Sequence, residues 1–290
     1  MNNTNEKSGL DKNVINWYPG HMAKTKREIK EKIDLIDIVY EVIDSRMPKS
    51  SRIKDLDEII GNKPRIMIFT KYDMCDKEVT DKYIIEYANE YAVIKTNLKE
   101  NSNITKEIVS KTEKILSEIN EKRLAKGLNK RSYRALVVGV PNVGKSTLIN
   151  RLAGRNIQST GNKAGVTKNI TWIKLNKDIE LMDTPGILWP KIDDINTSYN
   201  LASLTSIKEE ILNKDDIAIY IIKKLFNYYP NILNEKYAIV DITDMNLVFD
   251  KIGRKRGCLM KGNIVDLEKV YTIIINDLKE GKIGKVTFDR

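Results

Sequence analysis

The chain is 290 residues long and carries 50 Lys and Arg against 40 Asp and Glu, a formal charge of +10 with one histidine. That length allows one large domain or two smaller ones, and the basic excess bears on partners, making a polyanion such as nucleic acid plausible. The two cysteines, Cys75 and Cys258, have no metal-ligand or redox spacing, which argues against a disulfide framework and suits a reducing cytoplasm. The longest purely apolar run, "IAIYII" at 217–222, is far too short to cross a bilayer, so no membrane role is expected. The first thirteen residues lack the apolar core of a secretory signal and contain acids, against a transit peptide.

In chain order, "MAKTKREIKEKI" (22–33) reads as an amphipathic basic helix. "IDIVYEVID" (36–44) reads as a buried strand closed by the loop "SRMPKSSR", and "PRIMIF" (64–69) as a second strand running into "TKYD". A helix over 76–90 and a strand over 92–95 follow. Ile104, Ile108, Ile115 and Ile119 then fall at helical spacing, predicting a helix over 104–124, and the charged stretch 120–134 reads as a linker. Residues 134–154 read as strand, tight loop and helix, and 171–175 with 179–183 as a hairpin across Asn176 and Lys177. This alternation predicts an α/β domain with a mostly parallel sheet and helices on both faces over 1–190. Helical patterns at 197–213, 215–227, 244–255 and 266–280 predict a second, all-α domain over 195–290.

"GVPNVGKS" (139–146) fits the phosphate-loop pattern G-x-x-x-x-G-K-[ST] between an apolar strand and an amphipathic helix, the context that pattern needs. Gly139 and Gly144 permit the tight turn. Asn142, Val143 and the helix start through Thr147 then turn backbone N–H groups towards phosphates. Lys145 brings a positive charge to the β and γ phosphates, and Ser146 offers an oxygen to Mg²⁺. "DTPG" (183–186) ends a later strand. There Asp183 can hold Mg²⁺ through water, and Gly186 can approach the γ-phosphate. Between them, Thr167 is the candidate switch threonine for Mg²⁺, with Thr160 and Thr171 as rivals that periodicity does not separate.

No Asn-Lys-x-Asp base motif lies downstream of Gly186. Upstream, "FTKYD" (69–73) follows a strand. Asp73 can accept both donors of a guanine edge, with the Lys71 stem over the ring and Thr70 beside it; matching a fork of donors with one carboxylate discriminates strongly. If this loop reads the base, the base-binding half precedes the phosphate-binding half. That is the order of a circularly permuted GTPase domain.

The pieces "WYPGHMAK" (17–24), "DSRMP" (44–48), "TKYD", "GVPNVGKS", "AGVTK" (164–168) and "DTPGILWPK" (183–191) together resemble the circularly permuted GTPases of ribosome assembly, most closely the bacterial ribosome biogenesis GTPase A (YlqF) type. Two positions depart from that pattern. Thr70 stands where the family has asparagine, and the element that backs the guanine is degraded, with Thr96 and Asn97 in "TNL" as positional candidates.

The resemblance implies GTP as substrate with Mg²⁺. It also implies His21 in "PGHMAK" as the group that positions the attacking water, because Ile187, directly after the switch glycine, can neither donate nor accept a hydrogen bond. Related GTPases with asparagine at position 142 can bind K⁺, so Asn142 is a candidate K⁺ ligand. The function implied is a GTPase that binds an immature large (50S) subunit and its rRNA and couples hydrolysis to a late assembly step and its own release, as a cytoplasmic monomer. A nucleotide-dependent RNA-binding scaffold with little hydrolysis, or an ATP-using P-loop enzyme, are the alternatives. Three basic clusters are candidate RNA surfaces: Lys24 to Lys32, Lys122 to Arg134, and Lys251 to Lys261.

Overall fold

Strand β1 (Ile38–Asp44) is buried along its whole length, as its almost unbroken apolar sequence demands of a strand covered on both faces. In this computed structural model, residues 20–100, 102–154, 171–175, 178–187, 192, 194–207 and 213–290 are described, apart from the side chains of His21 and Thr171. β1 pairs in parallel with β2 (Arg65–Thr70) on one side and β4 (Tyr133–Val138) on the other. β3 (Ala92–Lys95) extends the sheet beyond β2, and β6 (Ile179–Asp183) extends it beyond β4. β5 (Thr171–Lys174) closes the far edge antiparallel to β6, as the hairpin pattern predicts. The order β3-β2-β1-β4-β6-β5 reverses direction between β1 and β4. In open α/β sheets, ligands bind at such a switch point, outside the carboxyl ends of the strands.

Helix α1 (Gly20–Lys32) buries Met22, Thr25 and Ile29, one stripe of its face, and leaves Lys24, Arg27 and Lys30 exposed. α2 (Leu56–Ile60) and α3 (Lys77–Ala88) lie between successive strands, and the Asp76 carboxylate caps α3 by accepting from Val79 N. α4 (Ile104–Ala125) ends one residue beyond the predicted 104–124, inside the stretch also read as a linker. The predicted linker over 120–134 is therefore corrected: its first residues continue the helix, and only 126–132 connect α4 to β4. Arg131, assigned to a basic surface, grips Asp37 with two hydrogen bonds of 2.6 and 2.7 Å, and Arg134 lies 5.5 Å over the Trp172 ring.

Beyond the sheet come α6 (Ile195–Ser203), α7 (Lys214–Tyr228), α8 (Pro230–Tyr237), α9 (Met245–Arg256) and α10 (Leu267–Lys279), after α5 (Lys145–Ala153) of the phosphate loop. The helix expected over 197–213 is a second correction. It stops at Ser203, because Thr205 turns left-handed at φ +54°. α8 is a helix the periodicity missed; Pro230 opens it, where a missing N–H costs nothing. The all-α expectation is also amended by a two-stranded hairpin, β7 (Leu259–Met260) with β8 (Ile264–Val265).

Ile217, Ile221 and Leu225 of α7 share a core with Ile274 and Leu278 of α10 and with Val248 and Ile252 of α9. Each such side chain, once buried, contributes about 1.5–3 kcal/mol. Among the described residues no helix is long and apolar enough to cross a membrane.

Candidate nucleotide site

The phosphate loop, 139–144, joins the carboxyl end of β4 to α5. Its glycines answer to space. A Cβ on Gly139 would sit 2.6 Å from Val42 O, and Gly144 takes φ +106° at the start of the helix. The first amides of α5, from Lys145, Ser146 and Thr147, have no partner within their own helix, so this end suits an anion. Lys145 is buried, and its Nζ donates to Gly139 O and Val140 O, both at 2.9 Å. Ser146 is half-buried and Thr147 exposed.

The "DTPG" segment rests directly on this loop. Ile187 N donates to Gly139 O at 3.3 Å, and a Cβ on Gly186 would lie 2.9 Å from Pro141 Cα. Thr184 Oγ1 donates to Val137 O at 2.8 Å, which fixes the strand end. Among the described residues, neither Asp183 oxygen has a well-formed hydrogen bond, although both are buried. Burial pushes the Asp183 carboxyl up, opposed by the Lys145 ammonium and the Thr184 amide. Burial likewise pushes the Lys145 ammonium down, opposed by Asp183. A buried carboxylate without partners is costly. Hard oxygens from Asp183 and Ser146 beside a phosphate cradle therefore fit Mg²⁺. Ile187 is fully buried in the sheet core and cannot reach a water at the γ-phosphate.

On the base side, Thr70 ends β2. Its Oγ1 donates to Val143 O at 2.6 Å and lies 3.0 Å from Ile43 O; a hydroxyl has one hydrogen, and the shorter contact takes it. Lys71 is left-handed at φ +54°, and its Nζ donates to Asp44 Oδ2 and to Asn142 O, both at 2.8 Å. Among the described residues Asp73 Oδ1 is buried without a hydrogen-bond partner, so it has an acceptor to offer an incoming donor.

From the far side, Thr96 N donates to Phe69 O at 2.8 Å and Tyr72 N to Thr96 O at 3.3 Å, so the end of β3 brackets the "TKYD" loop. Asn97 Oδ1 accepts from Lys99 N at 3.0 Å and shapes the turn that carries Leu98 towards Gly144. Thr70, Lys71, Thr96, Asn142, Val143 and Gly144 are thus joined at one end of the sheet.

The remaining expected residues stand as follows. Asn142 gives its amide nitrogen to Thr205 O at 2.6 Å and Thr205 Oγ1 at 2.9 Å, so a K⁺ ion would have to use Oδ1. Thr171 pairs with Asp183 in the β5–β6 register, which makes it a strand residue. Thr160 and Thr167 lie outside the described residues, as does the side chain of His21, whose backbone is in the first turn of α1. Sequence reasoning missed Thr205 and Ser206, whose Oγ donates to Pro141 O at 2.7 Å, and gave no role to Asp44 and Arg46. The motif "DSRMP" was the available signal for the last two.

A mostly parallel sheet with a phosphate loop after β4, an acid-tipped β6 leaning on that loop, and a lysine-aspartate loop after β2 defines a P-loop GTPase in permuted strand order. A family profile described as "50S ribosome-binding GTPase" matches residues 134–251. Ribosome biogenesis GTPase A of Priestia megaterium is 45% identical over 279 residues, covering 95% of this chain and 96% of that protein. The Thermotoga maritima protein of the same name is 31% identical over 277 residues, covering 95% and 94%. The crystal structure of GNP-bound YlqF from T. maritima superposes with a TM-score of 0.63 at 28% identity, covering 92% of this chain and 98% of that one. The chain belongs to the ribosome biogenesis GTPase A family.

Proposed function

We propose that this GTPase binds an immature large ribosomal subunit, hydrolyses GTP there, and leaves when hydrolysis is complete. Membership of a family whose profile is described as 50S ribosome-binding supports the partner. The observation that carries the nucleotide reading is the pair of bonds Thr70–Val143 and Lys71–Asn142, which seat a base loop and a phosphate loop against each other. Asp73 takes the guanine edge and the Lys71 stem covers the ring. Lys145 exchanges its two loop carbonyls for phosphate oxygens. Asp183 and Ser146, with Thr167 from the switch, would hold Mg²⁺, which offsets charge on the β and γ phosphates. Asn142 Oδ1 would face a K⁺ ion.

Because Ile187 is buried, the attacking water needs another group, and His21 at the start of α1 supplies it when a partner presses that segment inward. Exposed Lys24, Arg27, Lys30, Lys251, Lys255 and Lys261 meet rRNA phosphates. Arg256 does not join them, because it forms hydrogen bonds to both Asp277 oxygens. A second reading, a nucleotide-dependent scaffold with little hydrolysis, draws on the same buried Ile187. Cosedimentation with small and large subunits in GTP-analogue and GDP states tests the partner. Single-turnover hydrolysis with and without particles separates the two readings: a large-subunit preference in the GTP-analogue state with stimulated turnover supports the first.

A further inference from the structure

The loop after β1, "DSRMPKSS" (44–51), takes no part in the chemistry above, yet it holds Arg46, which heads the fully buried side chains by size. Asp44, also fully buried, accepts from Arg46 Nε at 2.9 Å and the Arg46 amide at 3.1 Å through Oδ1, and from Arg46 Nη2 at 2.8 Å through Oδ2. The same Oδ2 accepts from Lys71 Nζ at 2.8 Å. Burial alone would raise the Asp44 pKa; Arg46 and Lys71 together lower it overall.

Arg46 Nη1 points the other way, donating to Leu278 O and, at 3.2 Å, to Lys279 O, the last carbonyls of α10. One carboxylate therefore faces two cations, and the negative end of a helix completes the balance. The surrounding loop is gripped from the C-terminal side as well. Phe288 N donates to Arg46 O at 3.0 Å, and Asp289 accepts from Lys49 N at 2.7 Å, Ser50 N at 2.8 Å and Asn200 Nδ2 at 2.8 Å.

We propose that Arg46 is a positioning residue that couples the base loop to helix α10, so that filling the base site is felt in the C-terminal helices. The proposal rests on the reading of Lys71 and Asp73 as base-binding residues. Lys71 and Arg46 share one acceptor oxygen. A purine beneath the Lys71 stem restricts where its ammonium can sit, and any change in the hold of Lys71 on Asp44 changes what holds Arg46. Arg46 in turn divides its fork between Asp44 and two α10 carbonyls. Such coupling is reciprocal: α10 held firmly in place favours the base loop in its binding geometry. A lysine at this position keeps the charge but has one compact ammonium, which cannot span both oxygens of Asp44 and the helix end.

The test is hydrogen exchange on the full chain, as wild type and Arg46→Lys, without nucleotide, with GDP and with a non-hydrolysable GTP analogue, together with fluorescent-GDP titration. In wild type, nucleotide slows exchange in the last turn of α10, residues 276–279. In Arg46→Lys, GDP binds about tenfold more weakly, and at saturation the α10 response is lost.

Asp289→Asn loosens the same loop without touching Asp44 or Lys71. It is expected to lower the melting temperature while keeping both GDP affinity and the α10 response. An α10 response that survives in Arg46→Lys, or is absent in wild type, or disappears equally in Asp289→Asn, overturns the coupling. Asp73→Asn in the same titration separates the two ideas. Unchanged guanine affinity there removes the base-loop reading and this proposal with it; lost affinity there with an intact α10 response in Arg46→Lys removes the coupling alone.

Discussion

Thr70 Oγ1 donates to Val143 O at 2.6 Å, joining the end of β2 to the loop after β4 across 73 positions of sequence. The bond gives a use to the hydroxyl that stands where the family pattern has asparagine: its one hydrogen goes to the phosphate loop, and in the proposed function base contact falls to Asp73. Thr70→Val keeps the shape and removes that hydrogen. Leaving Val143 O buried without its donor costs about 1–3 kcal/mol. Chemical denaturation is expected to show that loss, and nucleotide titration a weaker affinity for GDP and GTP alike.

Gly186 touches the phosphate loop so closely that a methyl group would stand 2.9 Å from three Pro141 atoms. Those atoms include backbone, which cannot swing aside. Gly186→Ala is expected to cost about 1–3 kcal/mol where the switch meets the loop. Affinity for a GTP analogue should fall more than affinity for GDP, because in the proposed function Gly186 approaches the γ-phosphate. Equal losses for both would argue against the γ-phosphate role.

Much of this arrangement is legible in the residue order. β1, β2, β3 and β4 announce themselves as short apolar runs, and the glycine spacing of "GVPNVGKS" fixes the phosphate loop between strand and helix. What is not legible depends on contacts between distant segments. The helix begun at Ile195 stops because Thr205 adopts φ +54°, a conformation its β-branched side chain disfavours, and nothing in the local pattern signals it. Nothing local signals that Thr205 accepts both hydrogens of the Asn142 amide nitrogen, which leaves Oδ1 to face the site. Arg46 looks like a loop arginine until α10, 232 residues away, closes over it.

Acidity should act on the site in two opposite senses. Burial raises the Asp183 pKa above the ordinary carboxylate range. Between that ordinary range and the raised value, the nucleotide-free folded chain holds more protons than the unfolded chain. This group therefore adds stability as pH falls through the raised value and withdraws it as pH climbs. In the proposed function the Asp183 carboxylate holds Mg²⁺, so Mg²⁺-dependent GTP binding should weaken over the same fall. Melting temperatures and nucleotide affinities measured from neutral to mildly acidic pH should diverge in wild type, and Asp183→Asn should flatten both trends.

Ile187 occupies the place where Ras-type enzymes carry glutamine, but its burial denies that place a catalytic use. Ile187→Gln is expected to leave hydrolysis no faster and to cost about 1–3 kcal/mol, because its amide would be buried without partners. His21→Ala should instead slow particle-stimulated turnover while nucleotide affinity stays nearly constant. Single-turnover assays with large subunits distinguish the two variants, and a rate gain in Ile187→Gln would remove the need for His21.

Exchanging guanine for xanthine tests most directly whether Asp73 and Lys145 hold opposite ends of one purine nucleotide. Asp73→Asn replaces the acceptor for guanine donors with an amide that can serve the xanthine carbonyl, while Lys145 and the phosphate loop stay intact. Binding of GDP and xanthosine diphosphate to both proteins is the measurement. Guanine affinity should fall by at least about tenfold, or 1.4 kcal/mol, and xanthine affinity should rise. An unaltered preference for guanine in Asp73→Asn would contradict it.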